Sequence, residues 1–233
     1  MRHEAGCNWC PVRSLRNRVA PFSRAGHRGA LASAAETLGL DPVHCDTTWD
    51  ADYHNRVRGR SGGIAEQLSV IAMAQGSAVC RDRLGDVVAS YARACDEFMA
   101  PMPTAVETLR ALAERDVPVG LVSNTAPDFA AAFERSPLRP LFRTCTFSCF
   151  VGAAKPESEI YVAAAAALGV EPSRLLFVGD GSDDELAGAY AAGLISVLVE
   201  TEYDDTYDPN RHAVLNWTGL RINKLSGVLE LLA

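Results

Sequence analysis

From residue 104 to the C-terminus, short apolar segments alternate with longer segments that have apolar residues at helical spacing. The apolar segments have the length of strands, and the segments between them have the length of single helices. Such alternation predicts βαβ units and therefore a parallel sheet. We thus expect an α/β fold with a Rossmann-like parallel sheet. The predicted strands are 117–122, 144–149, 175–178 and 195–199, and the predicted helices are 106–114, 127–133, 157–168, 184–192 and 225–232.

The first half of the chain has a different pattern. Residues 27–100 are predicted to be helical, with the clearest periodicity at 30–40, 64–74 and 84–98. The Pro101-Met102-Pro103 sequence then interrupts the chain as a stiff linker. We therefore predict three regions: an atypical N-terminal segment (1–25), a helical module (26–100) and an α/β core (101–233).

Composition excludes several classes of function. The net charge of −7 argues against a nucleic-acid-binding surface, and no apolar run reaches the roughly 20 residues needed to span a bilayer. The chain has seven scattered cysteines and no apolar segment of the signal-peptide type, which favours reduced thiols and a cytoplasmic location. We expect no nucleic-acid or membrane partner, and the sequence indicates no oligomeric state.

One predicted strand leads directly into an acidic turn. Residues 175–178 are followed by Gly179-Asp180, and then by Asp183, Asp184 and Glu185. Open α/β sheets bind ligands at the carboxyl ends of their strands, and clustered carboxylates there suit Mg²⁺. In an alternative interpretation, the last three acids only form a favourable first turn of the next helix. Asp180 has no such explanation, because it precedes that turn.

Two further polar residues follow predicted strands. Ser123, with Asn124, ends one strand, where a hydroxyl and backbone N–H groups can hold a phosphoryl oxygen; the same pair is also common in ordinary turns. Lys155, followed by Pro156, is the only lysine in the first 223 residues. Its ammonium group can balance charge between a carboxylate and a phosphoryl group, although a surface lysine is the simpler interpretation.

In this order, these residues resemble the motifs of the haloacid dehalogenase (HAD) superfamily. Ser123 resembles the second motif, Lys155-Pro156 the third and residues 179–185 the fourth, and the helical module is similar to the family's small cap domain. The resemblance implies a Mg²⁺-dependent phosphatase that acts on a small phosphorylated metabolite. It further implies that Asp180 and Asp184 hold Mg²⁺, that Ser123 and Asn124 bind the phosphoryl oxygens, and that Lys155 balances charge.

Residues of the helical module are candidates to face the substrate, although an exposed polar helix face would explain them equally well. They are Trp49, Tyr53, His54, Arg56 and Arg58.

The family's first motif is missing from this sequence. It is an apolar strand followed by Asp-x-Asp, whose first aspartate is the nucleophile, and residues 5–20 contain no aspartate. Asp50-Ala51-Asp52 lies inside the helical module and does not follow a buried strand. Pro11 and the nearby arginines also make residues 9–15 a poor central strand. We therefore expect little or no turnover from this polypeptide.

Three explanations for the missing motif remain open. A misassigned start or a frameshift upstream of about residue 22 is one, a natural pseudoenzyme that binds a phosphorylated ligand is another, and an unrecognised nucleophile is the third. A metal-independent dehalogenase of the same superfamily is an alternative activity. It would also need the missing aspartate, and it would have less use for so acidic a fourth motif.

Overall fold

The computed structural model describes residues 10–14, 24–200 and 216–232, with the backbone alone for residues 10–14. In these residues the strands form one parallel sheet of order β3-β2-β1-β4-β5-β6. This confirms the predicted α/β class with a Rossmann-like sheet. The strands are β1 (Cys10–Ser14), β2 (Gly120–Ser123), β3 (Thr144–Phe147), β4 (Leu175–Gly179), β5 (Ile195–Val199) and β6 (Leu220–Ile222).

The central position of β1 corrects the expectation that residues 9–15 make a poor central strand. Val12 is in register with Gly120 of β2 on one side and with Phe177 of β4 on the other. Pro11 is in register with Leu176 of β4, and the pairing with β2 begins only at Val12. Proline is tolerated at the start of a strand, and two neighbouring strands provide the pairing that local composition does not favour.

Side chains of the sheet alternate between two apolar layers. Leu176 and Val178 of β4 pack in one cluster with α6 (Pro103–Ala113) and α7 (Pro127–Arg135). Leu175 and Phe177 point to the other face, where they pack with α9 (Ser158–Leu168) and α10 (Glu185–Ala191). Burial on both faces explains why these strands are continuous apolar runs in the sequence.

Between β1 and β2 the chain forms a group of helices, which we call the helical segment (residues 24–97). It has its own apolar cluster, which includes Leu31, Trp49, Leu68 and Tyr91 and also contacts Ala132 of α7. A smaller cluster packs around Cys45. Its helices are α1 (Arg24–Thr37), α2 (Pro42–Ala51), α3 (Tyr53–Arg56), α4 (Ile64–Ala74) and α5 (Arg81–Glu97).

His27 is buried in an aromatic cluster within the helical segment. Its Nε2 lies 2.8 Å from the hydroxyl of Tyr91, and its ring lies near Trp49 and Phe129. Burial lowers the pKa of His27 to about 4, helped by the positive charges of Arg56 and Arg28 and opposed by Asp50. The neutral imidazole is therefore the form that this packing requires.

Three differences from the predicted elements concern the edge strands of the sheet and the C-terminal helix. The predicted strand 144–149 ends at Phe147, and α8 (Ser148–Val151) follows it at once. Strand β6 was not predicted, and the predicted C-terminal helix is a 3₁₀ turn followed by α11 (Val228–Leu231). No helix in the described part of the chain is long and apolar enough to cross a membrane.

Candidate functional site

The candidate residues lie at the carboxyl ends of β2 and β4, on either side of the end of β1. The strand order runs outward from β1 in one direction as β2-β3 and in the other as β4-β5-β6. The crevice beyond such a reversal is where open α/β sheets bind ligands. Ser123 ends β2, Asp180 follows β4, and Lys155 precedes α9.

Asp180 opens a tight loop that we call the acidic loop (residues 180–185). Its side chain is buried, and its Oδ1 accepts a hydrogen bond from the backbone N–H of Ser182 at 3.0 Å. Gly181, Asp183 and Asp184 all have positive φ angles, which fold the loop back on itself before α10 begins. Left-handed backbone is uncommon for residues other than glycine, so this conformation depends on contacts made by the loop.

Lys155 reaches the acidic loop through a buried ion pair. Its Nζ lies 2.5 Å from Oε2 of Glu185, and both side chains are at most 1% exposed. The other carboxylate oxygen of Glu185 accepts a hydrogen bond from the backbone N–H of Gly181 at 3.2 Å, and the backbone oxygen of Glu185 accepts one from the Tyr161 hydroxyl. The interpretation of Lys155 as a surface lysine is therefore wrong, and Glu185 does more than start a helix.

Asn124 joins the Lys155 backbone to the acidic loop. Its Oδ1 accepts a hydrogen bond from the N–H of Lys155 at 2.8 Å, and its Nδ2 donates to the carbonyl of Lys155 and to Oδ2 of Asp183 at 2.9 Å. Both polar atoms of the amide thus bind protein groups. The Asn124 side chain therefore links the Lys155 backbone to the acidic loop.

Ser123 ends β2 at the carboxyl edge of the sheet, and the residue is only 5% exposed. Its neighbour Thr125 is fixed by a hydrogen bond from its backbone N–H to the Ser148 hydroxyl at 2.9 Å.

The structure distinguishes the two central carboxylates of the acidic loop. Asp183 is half-buried and bonded to Asn124, whereas Asp184 is exposed. The sequence resemblance pointed to Asp184 as the partner of Asp180, and Asp183 was not singled out. The signal for Asp183 is the contact with Asn124, which lies 59 residues away in sequence.

The helical segment lies over this site. The Tyr53 hydroxyl donates to Oδ2 of Asp183 at 3.3 Å, and Arg58 forms an ion pair with Glu157, which holds the pKa of Glu157 below its usual range. Of the other candidates, His54 is exposed and Arg56 is buried against Trp49. Tyr53 and Arg58 thus form polar contacts with the α/β part.

The two aspartates of the Asp50-Ala51-Asp52 sequence have partners within the helical segment. Asp50 lies on α2, where its carboxylate forms ion pairs with Arg24 and Arg28. Asp52 accepts a hydrogen bond from Asn55 at 2.9 Å. The Asp50-Ala51-Asp52 sequence therefore lies at the end of α2 and in the turn before α3, and it does not follow a strand of the sheet.

The carboxylates of this site fit Mg²⁺ in part. Within the ranges that the structure describes, no three His, Cys, Asp or Glu side chains are grouped as a metal site. Mg²⁺ is commonly bound by only one or two carboxylates, together with waters and substrate phosphate oxygens. Asp180, at the end of β4, and one further acid of the acidic loop can supply such a set.

Comparison with known proteins places the chain in a family. The sequence model of the haloacid dehalogenase-like hydrolases matches residues 23–192. The chain belongs to this hydrolase family. The match begins after the segment in which the first motif was expected, and residues 1–23 contain no aspartate. The residues after β1, from Leu15 to Ser23, lie outside the described residues.

Solved structures support the same fold. A HAD phosphatase from Thermococcus onnurineus superposes with a TM-score of 0.66 at 16% identity, covering 97% of this chain and 98% of its own. An L-2-haloacid dehalogenase superposes with a TM-score of 0.65 at 17% identity, covering 96% and 98%. At such low identity these likenesses establish the fold and leave the activity open.

Several relatives identified by sequence are phosphatases. A ribulose-1,5-bisphosphate 5-phosphatase of Halopiger xanaduensis is 30% identical over 91% of this chain and 93% of its own length. A glyceraldehyde 3-phosphate phosphatase of Methanopyrus kandleri is 30% identical over 58% and 59%. A phosphoglycolate phosphatase of Caulobacter vibrioides is 34% identical over 49% and 48%. The chain thus matches only about half to three-fifths of the length of the last two.

Proposed function

We propose that this protein binds a small phosphomonoester in a Mg²⁺-dependent manner, in a HAD-type phosphatase site that lacks its nucleophile. The observation that carries the proposal is the buried arrangement of Lys155, the Asn124 amide and the acidic loop at the end of β4. The phosphatase relatives support the same substrate class. The acidic loop favours a Mg²⁺-dependent phosphate site over the site of a metal-independent dehalogenase.

In this proposal, Asp180 and an acid of the acidic loop, Asp183 or Asp184, hold Mg²⁺. The bound ion would offset the negative charge of the phosphoryl group. The Ser123 hydroxyl, at the end of β2, donates to a phosphoryl oxygen. The Lys155 ammonium, oriented by Glu185, places a positive charge beside the same group.

The helical segment acts as the cap of this site, and the division into residues 1–25, 26–100 and 101–233 is part of the proposal. The contacts of Tyr53 with Asp183 and of Arg58 with Glu157 support this role. A closed cap excludes water and strengthens the electrostatic interactions below it.

We further propose that the protein works in the cytoplasm, in keeping with its unpaired cysteines at 45, 80, 95, 145 and 149.

Turnover is the step that this chain lacks. Covalent phosphoryl transfer needs a nucleophile, which in the family's first motif is an aspartate, and the sequence contains no aspartate before Asp41. Loss of a group that acts as part of a catalytic unit typically lowers the rate by several orders of magnitude. Binding through Ser123, Lys155 and Asp180 does not need that group, so we expect it to persist.

The test combines a binding measurement with a hydrolysis measurement. Orthophosphate is titrated into the protein with and without Mg²⁺, and hydrolysis of an aryl phosphate is followed in parallel. We expect saturable, Mg²⁺-dependent phosphate binding that Asp180→Asn abolishes, and no turnover above background. Glu200→Gln, at an exposed acid, is the matched control and should bind as the parent does. Absence of binding by folded protein would refute the proposal.

A second variant tests the missing nucleophile directly. Leu15 and Asn17 follow β1 in sequence, so Leu15→Asp with Asn17→Asp recreates a strand followed by Asp-x-Asp. If the rest of the site is competent, this double variant should hydrolyse the aryl phosphate above the parent's background. The same pair of substitutions combined with Asp180→Asn should return hydrolysis to that background.

A further inference from the structure

We propose that Tyr53 is a positioning residue that couples the position of the helical segment on the α/β part to the geometry of the phosphate site. The inference rests on the proposed function, because the site that Tyr53 would control is the phosphate site described above. The coupling runs from the Tyr53 hydroxyl through Asp183 and Asn124 to the backbone of Lys155.

The first link joins residues 130 positions apart in sequence. Tyr53 begins α3 of the helical segment, and its hydroxyl lies 3.3 Å from Oδ2 of Asp183. An O–H···O hydrogen bond is usually about 2.7–2.8 Å long, so this one can shorten if the helical segment moves closer to the acidic loop. Hydrogen bonds in ligand-free sites are often long and tighten when the ligand binds.

The second link transmits the position of Asp183 to Lys155. The same oxygen of Asp183 that accepts from Tyr53 also accepts from Asn124 Nδ2 at 2.9 Å. The amide of Asn124 binds the N–H and the carbonyl of Lys155 at 2.8 and 3.0 Å. A shift of the Asp183 carboxylate therefore displaces the Asn124 amide, which holds the Lys155 backbone in place.

The backbone of Asp183 makes this link sensitive. Its φ of 54° and ψ of 31° lie in the left-handed region, as does the φ of Asp184 at 50°. Such conformations persist only where surrounding contacts maintain them. The hydrogen bonds from Tyr53 and Asn124 are contacts of this kind, and one of them comes from the helical segment.

Residues that follow Tyr53 in the helical segment contact the α/β part closely. Gly59, with a φ of 70°, lies so near the carbonyl of Cys149 that a side chain there would overlap it. The backbone N–H of Ile64, at the start of α4, donates to Oδ2 of Asp128 at 2.9 Å. Any lifting of residues 53–64 therefore also withdraws the Tyr53 hydroxyl from Asp183.

The test compares two tyrosine-to-phenylalanine variants. Tyr53→Phe removes only the hydroxyl that contacts the acidic loop. Tyr91→Phe removes a hydroxyl that is hydrogen-bonded to His27 inside the helical segment, and it serves as the matched control. Two quantities are measured in each variant: the Kd of orthophosphate with Mg²⁺, and the hydrogen-exchange rate of the Lys155 amide, which donates to Asn124.

We expect Tyr53→Phe to weaken phosphate binding by about fivefold to tenfold, which is within the range of one typical net hydrogen bond, and to accelerate exchange of the Lys155 amide. Tyr91→Phe should leave both unchanged relative to the parent. A purely structural role for Tyr53 would instead change the melting temperature without changing the Kd. Unchanged Kd and exchange rate in Tyr53→Phe would overturn the inference while leaving the proposed function intact.

A double-mutant cycle with Asp183→Ala defines the route. Once Asp183 is replaced, Tyr53→Phe should cause no additional loss of phosphate affinity, and an undiminished effect would overturn the inference. If the parent itself binds no phosphate, the proposed function fails. The Lys155 exchange rate in the free protein then decides the coupling alone: faster exchange in Tyr53→Phe than in Tyr91→Phe supports it, and equal rates overturn it.

Discussion

The buried ion pair between Lys155 and Glu185 gives the sharpest prediction about stability. Both side chains are at most 1% exposed, and their charged atoms lie 2.5 Å apart. Removing one member of a buried pair leaves an uncompensated charge and costs about 3–5 kcal/mol. With an unfolding entropy of about 2.1 cal/mol/K per residue, this corresponds to a melting temperature lower by roughly 6–10 °C for a chain of this length.

The assay is urea unfolding of three variants beside the parent protein. Lys155→Met and Glu185→Leu should each lower the free energy of unfolding by the amount given above. The double variant should recover most of the loss, because two apolar side chains of similar volume replace the pair and no charge remains buried. Single variants within about 1 kcal/mol of the parent, or a double variant as unstable as the sum of the singles, would refute this reasoning.

Two further predictions concern the helical segment. The free energy of unfolding should fall by about 3 kcal/mol as the pH is lowered from 6.5 to 4, because the pKa of His27 is lowered in the folded protein and the unfolded chain therefore takes up the proton first. Urea unfolding at several pH values in this range should show a weaker dependence of the free energy of unfolding on pH in His27→Gln than in the parent. An equal dependence in both proteins would contradict this role of His27. Gly59→Ala should destabilise the protein more than Gly39→Ala does, since both have a φ of 70° but only the first would overlap Cys149. Equal losses would show that the close contact contributes nothing.

The sequence was sufficient for most of the α/β part. Strands buried on both faces appear as continuous apolar runs, and β5 and helix α4 were predicted with their exact bounds. Strand β1 was not predicted, because the composition of its residues, considered alone, is unfavourable for a central strand. Its place in the sheet depends on pairing with β2 and β4, which are more than 100 residues away.

The candidate site was predictable only at its strand ends. Ser123 and Asp180 follow apolar runs, so their position at one edge of a parallel sheet could be inferred from order alone. The pairing of Lys155 with Glu185 and the contact of Tyr53 with Asp183 span 30 and 130 residues, and no local pattern specifies them. Such contacts arise from tertiary packing.

Phosphate binding without turnover is tested in one experiment by titrating p-nitrophenyl phosphate into the protein with Mg²⁺ while binding heat and released nitrophenolate are recorded together. We expect saturable binding heat without nitrophenolate above background, because the site holds the phosphate but has no nucleophile. Nitrophenolate production that disappears in Asp180→Asn would contradict it, since a nucleophile would then be present. Absence of binding heat from folded protein would contradict the phosphate site itself.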